Sequence, residues 1–587
     1  MADAPASPAA LPVPVAPPDG AARADRYARA VVAGEIPAGK WARLACERHL
    51  ADLARAEADE AFPYCYDAAQ AARVCRFIGK LPHVKGEWAR VPPDGKIPRI
   101  ALEDWQCFFI ASIFGWIKRA DGTRRFRSAS LYVPRKNGKS IIAAAIGWWM
   151  FACDGEPGAE VYSGATSRAQ AMEVFKPAQQ MARKIPALAE QNGVEVNASN
   201  MVRLTDNCKF EPVIGKPGDG ASPHCALVDE YHEHPTSDLV DTMLTGMGAR
   251  RQPLLLIIST AGSNLAGPCR DDWKACEDTL LAASAKDYAR VDETRFAVIY
   301  SADPEDDWTA EATLRKANPN FGVSVGADFL REQIRLAIAQ PRNQGAVKTK
   351  HLNLWVTAMS GFFDVQKLGL PPVSAPQLRL DDFAGKPCYI GVDAAAKRDI
   401  CAVVRVFPAA DGKSFAAFGR YYLPRAAVAL PQSQNYRAWE TAGWLAVCDG
   451  NVNDFDLLES DVVADAKRFD VREVDFDPWQ MQPVVGRWRA THGLTCVEIP
   501  RTTKSFSDTM KTLDALIADG RFHHAGDPVL VWALGNVVAR EDPGGNVFPR
   551  KEQDGQKIDP AVALLMALHR ALANAGEEAP AAGFSFV

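Results

Sequence analysis

No stretch of this 587-residue chain reaches the ~18 consecutive apolar residues that a membrane-spanning helix requires, so no such helix is expected. The opening MADAPASPAALPVPVAPPDG has neither a basic start nor an apolar core. Its Ala- and Pro-rich composition predicts a disordered arm and not a signal peptide. The 13 cysteines are odd in number and form no CxxC pair, which predicts reduced thiols in a cytoplasm. His224, His232 and His234 in HCALVDEYHEH lack the HExxH order of a zinc site, so loop or surface histidines are expected there. No internal repeat is present. Excess charge of one sign is also missing: the net charge is −5 and the pI about 6.1, which does not by itself announce a nucleic-acid binder.

A length of 587 residues and 48% hydrophobic content supply apolar surface for two principal domains. The segment SASLYVPRKNGKSIIAAAIGWWMF reads as a buried strand, a tight loop and a helix, with Gly138, Lys139 and Ser140 at the loop-to-helix junction. In such a phosphate loop the backbone of Arg135, Lys136, Asn137 and Gly138 cradles phosphates, Lys139 reaches the terminal ones, and Ser140 holds Mg2+. Val133 stands where GxxxxGK[ST] has its first glycine, and the tripeptide alone would also suit an ordinary helix start with Ser140 near the N-cap. About 90 residues later, Ala226 to Val228 end in Asp229 and Glu230. There Asp229 can orient Mg2+ through water and Glu230 can polarise the attacking water; alternatively, a core strand simply ends in a solvated acidic turn.

The second half carries three aspartates at element ends. Cys388 to Val392 form a strand ending at Asp393, an alternating strand precedes Asp477 in VREVDFDPWQ, and Asp559 stands immediately before an apolar helix in GQKIDPAVALLMALHRA. Three carboxylates converging from separate elements suit a site for two divalent metals that cleaves a phosphodiester without a histidine base. Hard oxygen ligands favour Mg2+ or Mn2+ over zinc. Each aspartate also has a purely structural alternative: Asp559-Pro560 as a helix cap and first turn, Asp477-Pro478 as a turn, Asp393 as a strand end. Asp399 and Asp475 stand near enough to be auxiliary ligands or substitutes.

With VPRKNGKS, VYSGATSRAQA, DEYHEH, LLLIISTAGSN, KANPNFG and KHLNLWV in that family's order, the chain resembles the large terminase subunit of tailed bacteriophages from about Asp25 to Leu572. The resemblance implies that Gln106 in EDWQCFFIASIFGW reads the adenine, that Arg135 senses or stabilises the γ-phosphate, and that Ser259, Thr260 and Ala261 couple hydrolysis to movement. Arg135 could also simply point to solvent. It implies as well that Asp393, Asp477 and Asp559 are the nuclease aspartates of a fold resembling ribonuclease H. Ring ATPases commonly take an arginine from a neighbouring subunit; Arg250 and Arg251 are both candidates.

The expected fold class is α/β: an N-terminal P-loop ATPase domain with a parallel sheet and a C-terminal ribonuclease H-like domain with a mixed sheet. The expected division is an arm (1–20), a helical preface (21–59), the motor domain (60–357), a Pro-interrupted linker (358–386), the nuclease (387–572) and a tail (573–587). The expected function is ATP-driven movement of viral double-stranded DNA into a procapsid and cutting of concatemeric DNA, with portal protein and terminase small subunit as partners. A homo-oligomeric ring on the procapsid, no membrane contact, a host-cytoplasm location and absence from the mature virion are the accompanying expectations. The rivals are an ATP-dependent helicase or repair translocase with a nuclease tail, and a non-catalytic DNA-binding scaffold. A motor must release DNA as well as grip it, so a local basic lining suffices. Candidate clusters are Arg124 to Arg127, Lys397-Arg398, Arg501 with Lys504, and Arg550-Lys551; short charge runs are mostly solvated faces, and those nearest the aspartates carry most weight.

Overall fold

The computed structural model describes residues 19–215, 220–265, 267–340, 343–356, 358–365, 367–368, 378–394, 399–429, 434–552 and 556–574. Residues 1–18 of the expected arm, 575–587 of the expected tail, 366 and 369–377 of the expected linker, and the basic pair Lys397-Arg398 lie outside them. The chain divides into two compact units, residues 1–260 with 271–327, and residues 261–270 with 328–587.

The first unit is built on an eight-stranded sheet whose strands, in chain order, are β1 (Ser128–Tyr132), β2 (Glu160–Ala165), β3 (Glu195–Val196), β4 (Met201–Arg203), β5 (Cys208–Ile214), β6 (Pro223–Asp229), β7 (Leu254–Ser259) and β8 (Arg295–Ile299). The spatial order is β8-β1-β7-β6-β2-β5-β4-β3. Strands β8 to β5 of that order run parallel, and β4 and β3 add an antiparallel edge. Apolar runs such as LLLII in β7 are what a parallel strand covered on both faces requires, and every residue of β6 and β7 is buried. Because β1, β7 and β6 are parallel neighbours, Tyr132, Ser259 and Asp229 all finish at one edge of the sheet, where open α/β sheets bind ligands. The helix Lys139–Ala152 lies against this sheet so closely that a Cβ on Gly147 would stand 2.8 Å from Leu227 and Phe210.

Two helices, Gly20–Val32 and Lys40–Ala58, precede this sheet. The second contributes to a buried ion cluster in which Arg125 pairs with Asp52 at 2.9 Å and with Glu293. Arg124 pairs with Asp154 at 3.1 Å and is also buried. This corrects the reading of Arg124 and Arg125 as part of a basic surface: two adjacent arginines can sit inside the fold because each has a buried acid to neutralise it.

The second unit holds a seven-stranded mixed sheet of β9 (Pro387–Asp393), β10 (Cys401–Pro408), β11 (Phe415–Pro424), β12 (Leu445–Cys448), β13 (Asp470–Phe476), β14 (Cys496–Glu498) and β15 (Phe522–His524). The order is β12-β11-β10-β9-β13-β14, with β15 pairing β11. The β9–β10–β11 meander is antiparallel, whereas β13 joins β9 in parallel. Successive residues of β10 face opposite ways: Ala402, Val404 and Val406 pack into one core, Cys401, Val403 and Phe407 into another. The apolar helix Asp559–Asn574 fills the first of these cores. Gly391 permits its approach, since a Cβ there would meet the Ala563 carbonyl oxygen at 1.9 Å.

Candidate functional site

In the first unit, the chain leaves β1 at Val133, whose backbone N–H still donates to the Ser259 carbonyl at 3.1 Å. Val133 therefore continues the extended strand, which explains why no glycine is needed there. The turn comes later, where Lys136 and Gly138 take positive φ values of 71° and 86°. Lys139 and Ser140 then open the helix. The Lys139 Nζ donates to Glu230 Oε1 at 2.5 Å and lies 3.9 Å from Asp229 Oδ1, and Ser140 Oγ donates to Asp229 Oδ2 at 3.2 Å. All four predicted residues thus meet at one edge of the sheet. Burial, foremost, pushes the Asp229 carboxyl above its usual range, to about 6. Burial also pushes Glu230 up, but Lys139, then His232 and Arg135, hold it below the ordinary range.

Glu230 has φ and ψ of 48°, the left-handed region that costs a non-glycine residue roughly 1 kcal/mol. Its N–H donates to Asp229 Oδ1 at 2.8 Å and to the Ile258 carbonyl at 3.1 Å, which holds the turn that aims its carboxylate at Lys139. Beside it, His232 departs from the expectation of a loop or surface histidine. Its N–H donates to Ser259 Oγ at 3.1 Å, and its Nδ1 lies 3.0 Å from Ser259 Oγ, 3.5 Å from Thr260 Oγ1 and 3.2 Å from Glu230 Oε2. His232 is partly buried, and His224 and His234 are buried, His224 Nε2 lying 2.9 Å from Asp154 Oδ2. Tertiary partners drew these imidazoles inward, which no spacing could show.

The loop is held from behind by the KANPNFG segment. Asn137 is fully buried; its Nδ2 donates to the Pro134 carbonyl at 3.0 Å and to Asn318 Oδ1 at 2.9 Å, and its Oδ1 accepts from the Asn320 N–H at 3.0 Å. Asn320 Oδ1 in turn accepts from Trp105 Nε1 at 2.6 Å, and Ser324 Oγ donates to the Lys136 carbonyl at 2.7 Å. The family resemblance includes this segment without implying a role for it; its signal in the sequence is a pair of amides flanking a proline, Asn318-Pro319-Asn320. Gln106 is buried on the helix Asp104–Gly115, where its Oε1 accepts from the Glu103 N–H at 2.9 Å in a capping box. Arg135 is half-buried near enough to Glu230 to lower its pKa. Of the two arginines considered for a neighbouring subunit, Arg250 is spent on the carbonyls of Ser222 (2.8 Å) and Gly158 (2.7 Å), while Arg251 donates to the Asp121 carbonyl at 3.1 Å and is exposed.

In the second unit the parallel register pairs Val392 with Phe476, so the next residues, Asp393 and Asp477, stand side by side at the ends of β9 and β13. Asp393 shares the face of Gly391, two residues earlier, and Asp559 starts the helix that crosses at Gly391. The three predicted aspartates are thereby gathered. Burial, foremost, raises Asp393 to about 8, against the pull of Arg501 and with the help of Asp559 and Asp477. Burial, with Asp399, raises Asp559 to about 6. Arg501, on the segment after β14, donates through Nη2 to Asp393 Oδ1 and lies through Nε 2.5 Å from Asp477 Oδ2. Among the described residues no three His, Cys, Asp or Glu side chains form a ready metal cage. The donors nevertheless suit a hard divalent cation: they are carboxylate oxygens, and the buried Asp393 Oδ2 has no hydrogen-bond partner among the described residues. Asp399 pairs with Lys557. Asp475 is fully buried and raised to about 9 by burial and then by Glu473; its charged neighbours are Glu473 and Arg570, not the three aspartates.

Residues 104–278 match the family described as the terminase large subunit, ATPase domain, and residues 289–575 match the terminase large subunit, endonuclease domain. Protein YmfN of Escherichia coli K12 is 39% identical over 369 residues, covering 61% of this chain and 79% of YmfN. The terminase large subunit of Enterobacteria phage HK97 is 26% identical over 503 residues, covering 83% of this chain and 94% of its own. The crystal structure of the HK97 large terminase aligns over 85% of this chain and 99% of its own at 25% identity, with a TM-score of 0.41. With an ATPase match and an endonuclease match in tandem over residues 104–575, broken only at 279–288, the chain belongs to the terminase large-subunit family and carries an ATPase domain followed by an endonuclease domain.

Proposed function

We propose that this chain hydrolyses ATP to move double-stranded viral DNA into a procapsid and cuts concatemeric DNA at the start and end of that process. The observation that carries the proposal is the assembly, on one chain, of Lys139, Ser140, Asp229 and Glu230 at one sheet edge and of Asp393, Asp477 and Asp559 at the end of another. In the motor, Lys139 neutralises Glu230 at 2.5 Å. Triphosphate competes for Lys139, and the carboxylate released from it is free to accept a proton from the attacking water. The backbone of Arg135 to Gly138 would bind the phosphates, Ser140 would hold the accompanying Mg2+ with Asp229 orienting it through water, and Gln106 and Arg135 would contact base and γ-phosphate. Ser259 and Thr260 pass the change onward, and His232, touching Glu230, Ser259 and Thr260, is the residue placed to link them.

In the nuclease, Asp393, Asp477 and Asp559 would hold Mg2+ or Mn2+, two ions in this reading. The metal supplies Lewis-acid stabilisation of the charge that develops on the phosphodiester. Burial holds the Asp393 and Asp559 carboxyls above their usual range, and a bound cation would favour their ionised forms. Portal protein, terminase small subunit and a ring of copies docked on the procapsid in the host cytoplasm complete the proposal; no helix among the described residues is long and apolar enough to cross a membrane. The test is DNA uptake into procapsids bearing portal, with purified wild-type, Lys139→Ala and Asp393→Asn proteins. Uptake should need Lys139 and survive Asp393→Asn when linear DNA is supplied. Duplex unwinding without uptake would favour the helicase instead.

A further inference from the structure

Arg501 occupies an unusual position for a basic residue beside a nuclease site. Its guanidinium contacts two aspartates at once, Asp393 through Nη2 and Asp477 through Nε at 2.5 Å, and so uses carboxylate oxygens that a divalent ion would need. Asp393 is only 3% exposed, and its second oxygen, Oδ2, has no hydrogen-bond partner among the described residues. The Arg501 side chain, by contrast, is 45% exposed. A second internal cation, Lys557, holds Asp399, which neighbours Asp559. Four carboxylates are therefore only partly offset by two cations, of which Arg501 is the more exposed.

An arginine cannot release this position by losing its proton. It must be moved, and it moves only toward another anion. A phosphodiester fits: the planar guanidinium fork matches phosphate oxygens in the same bidentate way as it matches carboxylates. We propose that Arg501 is a placeholder counter-ion, which keeps Asp393 and Asp477 together but weakens their hold on divalent cations until a DNA phosphate draws it away. The consequence is a nuclease that gains its metal when DNA is seated, which suits a chain whose other unit handles DNA without cutting it. This rests on the reading of Asp393, Asp477 and Asp559 as metal ligands.

The test is binding of Mn2+ to the full chain, followed by the electron paramagnetic resonance signal of free Mn2+, for wild type, Arg501→Gln, Arg501→Lys and Asp393→Asn. The part of Mn2+ binding that Asp393→Asn removes belongs to this site. That part should tighten about tenfold in Arg501→Gln, because a competing unit charge is gone, and less in Arg501→Lys, which keeps a charge without the fork. A phosphorothioate-linked duplex should tighten Mn2+ binding by wild type and leave Arg501→Gln nearly unchanged. If Arg501→Gln binds Mn2+ as wild type does, or more weakly, while Asp393→Asn abolishes the site, the placeholder role fails and the metal reading stands. If Asp393→Asn binds Mn2+ like wild type, both fail. Should Arg501→Gln fold poorly, Arg501→Lys and the duplex effect on wild type decide the matter in the same directions.

Discussion

Replacing Asn320 by Ala should weaken nucleotide binding about thirtyfold while leaving Lys139, Ser140 and Glu230 untouched. Asn320 is 4% exposed. Its Oδ1 accepts from Trp105 Nε1 at 2.6 Å, and its Nδ2 donates to the Asn137 carbonyl at 3.3 Å and to Ser324 Oγ at 3.0 Å. Truncation leaves a buried indole N–H and a buried loop carbonyl without this partner, each worth about 1–3 kcal/mol. Partial relaxation brings the combined cost to about 2–4 kcal/mol. The Asn320 backbone N–H still reaches Asn137 Oδ1 at 3.0 Å, so the loop survives as one of several conformers. Re-ordering it at about 2 kcal/mol on binding corresponds to the thirtyfold loss. Calorimetric titration with a non-hydrolysable ATP analogue reads the affinity, and urea denaturation reads the stability. The turnover number at saturating ATP should fall less than the affinity. An affinity within twofold of wild type together with an unchanged denaturation midpoint would refute the idea that this segment holds the phosphate loop.

Glu230→Gln should bind ATP and lose turnover by roughly 10²–10⁴-fold, read by pairing nucleotide binding with phosphate release; normal turnover would remove Glu230 from the water-activating role. Asp393→Asn should abolish DNA cutting in Mg2+ or Mn2+ and spare ATP hydrolysis, whereas parallel loss of both activities would indicate a folding defect. His49 is buried, accepts from Trp116 Nε1 at 3.1 Å, and has its pKa lowered from 6.5 to about 4, foremost by burial. A depressed histidine means that the unfolded chain takes up the proton first. The stability from neutral His49 is complete above pH 6.5 and is lost as pH falls toward 4, by about 3 kcal/mol. Denaturation curves at pH 7 and pH 4 should show that excess loss in wild type and not in His49→Gln; equal losses would contradict it.

The α/β class and the strand-loop-helix around Lys139 were legible because their signals are local. A short apolar run rich in Leu and Ile such as LLLII, ending at the polar Ser-Thr, reads as a covered strand, Gly138 supplies the positive φ that starts the helix, and Asp393, Asp229 and Asp559 are recognisable as the acids at element ends, although the fold buries Asp393 and Asp229. Val133 shows how far such reading goes, since the missing glycine matters little once the residue is seen to extend β1. The antiparallel edge of β3 and β4 was not legible, because those strands are short and their direction depends on which neighbour they meet.

What the sequence determined by itself is the set of chemical groups and the order in which they occur: a phosphate loop, an acidic strand end, and three further aspartates. Tertiary structure alone decided who stands beside whom. The register of β9 against β13 puts Asp393 next to Asp477 across 84 residues, and the close approach at Gly391 brings Asp559 to them. The same holds for Arg501 between two aspartates, His232 among Glu230, Ser259 and Thr260, and Asn318 and Asn320 behind the phosphate loop. Chain spacing carries no information about these neighbours. Each depends on a strand pairing or helix packing whose free energy comes from burying apolar surface elsewhere, so the polar partners are positioned by a core in which they take no part.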